Sequence, residues 1–346
     1  MKDPASIVAV LLFLVPLALL AAMISAGLIL AMWSWLNTHA LASPNARSSH
    51  RDPTPQGGGA AVIASTFAVA WVGVAIFAGE LSGSAVNQLL ALTVATALLA
   101  VVGAVDDMRA LAPLSRLLLQ GIAAGIVIAM APAELRLVPM LPWWIERAAM
   151  LVAGIWFINL TNFMDGIDWM TVAEVVPMTI AFVIFCVMGA VPLLPPLVAL
   201  ALGGAVLGFA PFNKPVAKLF LGDVGTLPIG LVLAWLLLQL AASGQLTAAL
   251  ILPLYYVADA TLTLVRRILA REPVWQAHRS HFYQRARDRG FTVAEIVTRV
   301  TAVNLVLVAL ALISISAASN VVSLASLVAA AVAVGWLLMH FARGRS

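Results

Sequence analysis

Residues 1–20 read MKDPASIVAVLLFLVPLALL, and the apolar run they open, from about residue 6, continues to about residue 33. That run exceeds the roughly 7–15 apolar residues of a secretory signal peptide, and no small-residue cleavage site follows it, so it reads as a membrane anchor. Ten further apolar stretches follow, near 59–79, 85–104, 115–131, 147–161, 170–190, 194–211, 224–242, 246–265, 294–317 and 321–341. Each approaches the ~20 residues that cross a bilayer core, and together the spans use about 220 residues. The 346-residue chain has no room left for a large extramembrane domain. With 63% hydrophobic and 10% charged residues, it is far from the roughly 25% charged content of a soluble domain. The expected fold is an all-α polytopic membrane protein of about eleven transmembrane helices in one domain, residues 1–346, without internal repeats. The single cysteine, Cys186, lies inside an apolar run, forms no intrachain disulfide and reads as a small core hydrophobe.

If the spans alternate in direction, the loops after the first, third, fifth, seventh and ninth share one side with the tail after the eleventh. Sixteen lysines and arginines fall there, counting those in adjoining helix ends, against Lys2, Arg136 and Arg147 opposite. The positive-inside rule makes the basic side cytoplasmic, the amino terminus periplasmic and the carboxyl terminus cytoplasmic. The net charge of +4 is thereby explained without nucleic acid.

The acids and amides gather in the same five loops, near 37–58, 105–114, 159–169, 212–223 and 266–293. Five loops on one face can build one site. In the first, Thr54 and Pro55 precede Gly57, Gly58 and Gly59, whose exposed N–H groups at a helix start suit an anion, with Arg51 alongside. The spacing is not that of a P-loop. In the second, Asp106 and Asp107 point in different directions on a helix, so one is free for a metal or a phosphate while the other holds a basic neighbour such as Arg109. In the third, Asn159, Asn162, Asp165 and Asp168 step by three and line one side if the segment stays helical. Such a ladder suits hydrogen bonding to a nucleoside or sugar, or oxygen coordination of a metal.

The fourth loop sets Asn213, Lys214 and Lys218 before Gly222, Asp223 and Gly225. A lone carboxylate beside glycines is how Mg²⁺ is often held, together with waters and substrate phosphates. Phe220 suits stacking on a base. The fifth loop is strongly basic and carries His278 and His281; no third zinc ligand lies nearby, so phosphate contact is the better reading. Asp259, inside the ninth span, requires a partner and reads as a buttress of the site.

Taken together, the five clusters, in this order and on this side, resemble the polyprenyl-phosphate N-acetylhexosamine-1-phosphate transferases. This membrane family includes the enzyme of the first lipid step of peptidoglycan synthesis and the initiators of O-antigen synthesis. The resemblance runs from Thr54 to His281. It implies a bacterial inner-membrane enzyme in which undecaprenyl phosphate attacks a UDP-N-acetylhexosamine, displacing UMP and leaving a polyprenyl diphosphate sugar. It implies Mg²⁺, with Mn²⁺ as a substitute, and puts Asp223 and Asp107 at the metal. Asp106, Asp107, Asp165 and Asp223 become the catalytic acids, Asp106 as base or lipid-phosphate contact. Arg51, Asn162, Asp168, Asn213, Phe220, His278, Arg279 and His281 become substrate contacts, with a homodimer admitted and no nucleic acid among the partners. Direct attack is favoured over a covalent aspartyl intermediate.

Three positions depart from the family pattern. Trp169 stands where DGxDG has glycine, Thr226 replaces the serine after GDVG, and the histidine segment reads AHRSHFYQ, a form similar to the O-antigen branch. The rival reading is a transporter of an anionic solute, which wants charges near the bilayer midplane. Asp259 alone lies well inside a central span, with Glu174 and Glu295 near span ends, so the transferase is preferred.

Overall fold

Where water is absent, backbone N–H and C=O groups must pair within their own segment, and the apolar stretches accordingly fold as helices. The structure, a computed structural model, describes residues 4–42, 53–132, 135–273, 278–317 and 319–345. Its helices are α1 (Pro4–His39), α2 (Gly58–Ile76), α3 (Gly83–Met108), α4 (Pro113–Ala129), α5 (Trp143–Met164), α6 (Met170–Val187), α7 (Leu194–Phe209), α8 (Asp223–Ala242), α9 (Leu246–Ile251), α10 (Leu254–Leu269), α11 (Phe282–Asp288), α12 (Val293–Ser316) and α13 (Asn320–Arg343). Eight of these, α1, α2, α3, α5, α6, α8, α12 and α13, are long and apolar enough to cross a membrane, while α4 and α7 are shorter. The chain is a multi-pass integral membrane protein.

One expected element is corrected. The span read as continuous over 246–265 is two helices, α9 and α10, separated at Leu252 and Pro253. Proline has no N–H to donate, and its ring excludes the carbonyl one turn back, so the helix breaks there. The fifth loop also contains the short helix α11.

Helices α7 and α8 are buried nearly all round and form the centre. Close approach depends on small residues, as is usual between membrane helices. A Cβ on Gly204 or Gly208 would lie 2.2 Å from the carbonyl oxygen of Ala18 or Ala22 on α1. A Cβ on Gly59 of α2 would lie 2.1 Å from the Gly225 Cα of α8. One end of α8 is therefore wedged between α2 and α3. A two-stranded hairpin, β1 (Leu41–Ala42) paired antiparallel with β2 (Thr54–Pro55), covers that end, and Gln56 bridges to Phe220.

Candidate active site

Helix α8 begins at Asp223 because Gly222 turns the chain at φ +73°, a conformation that favours glycine. Asp107, on the last turn of α3, closes that first turn: its Oδ1 accepts the Asp223 N–H at 3.0 Å and its Oδ2 accepts the Val224 N–H at 3.1 Å. Asp107 was expected to help hold a metal, but both oxygens are engaged by amides, so it positions Asp223 instead. Asp106 points elsewhere, as adjacent helical residues must. Its Oδ1 accepts the Leu111 N–H at 2.6 Å and its Oδ2 accepts from Arg116 Nη1 at 3.0 Å. Arg116, not Arg109, is thus its basic partner. The Asp106 and Asp223 carboxylates also face each other at hydrogen-bonding range.

The expected ladder of the third cluster breaks because α5 ends at Met164. Its four members go to four different partners. Asn159 donates to Gln120 Oε1 at 2.6 Å, inside the bundle. Asn162, on the last turn, donates to Asp223 Oδ1 at 2.6 Å and to Thr226 Oγ1 at 2.8 Å, tying α5 to α8. Asp165 caps the helix and accepts from the Thr171 hydroxyl. Asp168, expected at the substrate, is buried, and its Oδ2 accepts the Ala217 N–H at 3.0 Å.

Asn213, expected at a phosphate, is also turned inward. Its Oδ1 accepts the Trp169 N–H at 2.7 Å and its Nδ2 donates to the Leu219 carbonyl at 3.0 Å. Trp169 needs this support, since it sits at φ +64°, where a non-glycine side chain is strained. Its indole N–H donates to the Ala210 carbonyl at 2.7 Å. Asp168 and Asn213 therefore brace the turn between α5 and α6 against the α7–α8 connection.

The glycine loop is corrected too. The Gly58 and Gly59 N–H groups donate to the Phe220 and Leu221 carbonyls at 3.0 and 2.9 Å, so they are not an open anion cradle. Phe220 is half-buried beside them. Gln56 Nε2 donates to the Asp107 carbonyl at 3.2 Å, closing this side. Arg51 lies outside the described residues.

The histidine segment meets the same region from the other side. Tyr283 of α11 donates its hydroxyl to the Phe163 carbonyl at 2.9 Å. A side chain at Gly166 would put its Cβ 2.1 Å from that hydroxyl, so glycine after Asp165 is a packing requirement. His281 is buried, with its Nδ1 3.1 Å from Asp259 Oδ1 and its ring 6.4 Å from that of Phe163. The His278 ring stacks on it at 5.1 Å. Arg279 pairs with Asp288 at 3.3 Å. Burial and the nearby Arg266 and Arg289 lower the pKa of Arg285.

Negative charge is concentrated where α3, α5 and α8 end. Burial, opposed by the Thr171 hydrogen bond and reinforced by the Asp168 and Asp223 charges, pushes the Asp165 carboxyl up to about 7. Facing carboxylates such as Asp106 and Asp223 call for a proton or a cation between them. Among the described residues no three acidic, histidine or cysteine side chains form a closed metal cage. The donor set fits a hard cation held through one or two carboxylates and otherwise by water and phosphate.

Arg116, Thr171 and Tyr283 escaped the sequence reading as site partners, since each reaches its acid or carbonyl across a turn or from another helix. Thr226 was noticed only as a substitution for serine, although its hydroxyl is an Asn162 partner.

The site thus defines a multi-pass membrane protein with an acidic centre at the ends of packed helices. Residues 89–241, which carry three of the five clusters, match the model of Glycosyl transferase family 4, and the resemblance read from the motifs holds: this segment belongs to that family. The chain is 27% identical over 290 residues to a decaprenyl-phosphate N-acetylglucosaminephosphotransferase of Mycobacterium leprae, covering 75% of this chain and 72% of the relative. It is 26% identical over 236 residues to a protein of Bacillus subtilis described as a probable undecaprenyl-phosphate N-acetylglucosaminyl 1-phosphate transferase, covering 64% and 66%. Over 111 residues, 32% of each chain, it is 37% identical to a phospho-N-acetylmuramoyl-pentapeptide-transferase of Streptococcus pneumoniae.

Proposed function

We propose that this protein transfers an N-acetylhexosamine 1-phosphate from its UDP conjugate to undecaprenyl phosphate at the cytoplasmic face of a bacterial inner membrane, releasing UMP. The product would start a lipid-linked O-antigen or a related envelope polysaccharide. The observation that carries this reading is the joining of three helix ends around Asp223: Asp107 on its N–H, Asn162 on its carboxylate and Asp106 facing it. The names of the relatives supply the reaction class.

In this reading Asp223, with Asp106, holds Mg²⁺, with Mn²⁺ as a substitute. The bound ion supplies charge neutralisation for two phosphates brought together and for the leaving UMP. Asp107 and Asn162 fix the Asp223 carboxylate in place, so little reorganisation is needed when charge develops. Arg116 holds Asp106 in its ionised form. The basic segment around Arg266, Arg279 and Arg285 attracts the anionic substrates, and the half-buried Phe220 ring offers a face to uracil.

The test is UMP release by purified protein in detergent, given undecaprenyl phosphate, Mg²⁺ and a panel of UDP-N-acetylhexosamines. Lipid-dependent, EDTA-sensitive release with one sugar establishes the reaction and names the donor. Silence across the panel, from protein that binds no UDP-sugar, overturns it.

A further inference from the structure

Asp259 is fully buried in α10, and among the described residues no lysine or arginine pairs with it. Its partners come instead from the start of α11. Its Oδ1 accepts the Phe282 N–H at 3.0 Å and lies 3.1 Å from His281 Nδ1, while its Oδ2 accepts the Tyr283 N–H at 3.2 Å. The Thr263 hydroxyl adds a longer contact at 3.3 Å. A carboxylate already accepting two amide hydrogens is an acceptor toward the imidazole as well, so the hydrogen of neutral His281 belongs on Nδ1. Nε2 then carries the lone pair, and no described residue partners it. The ring is clamped between those of His278 at 5.1 Å and Tyr283 at 5.7 Å, and Tyr283 in turn is fastened to the end of α5.

We infer that Asp259 is the positioning residue of His281, holding the imidazole so that Nε2 takes the proton from the phosphate monoester of the lipid acceptor. This rests on the transferase reading above. In the step, the phosphate O–H bond breaks and an N–H bond forms at Nε2. The electron pair stays on the phosphate oxygen, which becomes the nucleophile toward phosphorus of the UDP-sugar, and the proton later leaves to water or to the departing UMP. His281 is the catalytic residue in this scheme, and Asp259 acts through it. A buried carboxylate that orients an imidazole and selects its tautomer is a known catalytic arrangement.

Because Asp259 also anchors α11, a loss of activity on its substitution is not decisive, and the test is a cycle. Turnover and UDP-sugar binding are measured for wild type, Asp259→Asn, His281→Gln and the double variant. The expected result is a kcat loss of at least about tenfold for Asp259→Asn, with UDP-sugar binding within about twofold, and under about twofold further loss when it is added to His281→Gln, as for residues that act as a unit. Equal cost in both backgrounds makes Asp259 a structural brace and overturns the inference. Independently of activity, ¹⁵N spectra of the full-length, histidine-labelled protein, assigned with His281→Gln, are expected to show the Nδ1–H tautomer in wild type and its loss in Asp259→Asn. An Nε2–H tautomer in wild type overturns the inference on its own. The correct tautomer in a protein that releases no UMP sinks the transferase reading, and with it the proton-acceptor role.

Discussion

Asp223 is held from three directions, so its removal and that of a neighbour have different expected consequences. Asp223→Ala is expected to abolish cation-dependent UMP release, by at least about a hundredfold, the scale on which a preorganised charge contributes to a transition state. Asp106→Asn keeps the shape and loses the charge facing Asp223, and should lower turnover more than UDP-sugar binding. Near-normal activity in either variant sinks that assignment. Asp165 sets a pH dependence. With its carboxyl raised to about 7, it is largely neutral below that pH and charged above. Its charge adds to the attraction of a cation at neighbouring Asp223, so Mg²⁺ binding should strengthen from about pH 6 to 8 and then level off, with proton release in the same window. In Asp165→Asn that slope should flatten, as titration calorimetry at several pH values would show.

At the scale of elements, the start of α8 depends on glycines of its neighbours. A Cβ on Gly103 of α3 would lie 2.2 Å from the Asp223 carbonyl oxygen. Gly103→Ala must push backbone apart, and overpacking of this kind costs about 1–3 kcal/mol. A lower melting temperature in detergent, together with weaker cation binding from a displaced Asp223, is the expected pair of results; an unchanged melting temperature would remove the wedge from the account. Gly103 illustrates what sequence could and could not supply. Hydropathy marked the stretches that became helices, because bilayer length and backbone satisfaction leave little choice. It could not reveal the break at Pro253, since apolar character runs straight through it. At the site, Asp106, Asp107, Asn162 and Asp223 were legible as chemically useful residues, but the three-residue spacing of Asn159 to Asp168 misled because the helix stops at Met164. Asp168 and Asn213 looked like ligand contacts for the same reason that they are good braces: short polar side chains bond backbone readily, and spacing alone does not say whose.

Across the whole molecule, the segregation of basic residues predicts sidedness. Cys186 is the single cysteine and is buried, so a Cys186→Ala background leaves new thiols to report alone. In intact spheroplasts an impermeant maleimide is expected to label Val138→Cys, at an exposed position in the loop carrying Arg136, and to spare Lys214→Cys until the membrane is opened. The reverse pattern would invert the topology and put the acidic centre on the outer face.

The way α8 is started has an effect beyond geometry. The positive end of a helix macrodipole, about half an elementary charge, is a natural seat for a phosphate. Here Asp107 already occupies the first amides of α8, so that end is neutralised before any nucleotide arrives. Attraction for the diphosphate then falls to mobile ions and to guanidinium groups at the water boundary, and both are subject to screening over a Debye length of about 10 Å at 0.1 M salt. UDP-sugar affinity should therefore weaken steadily with ionic strength, unlike that of a protein that grips phosphate with buried backbone amides, and a salt series of binding isotherms would tell the two apart.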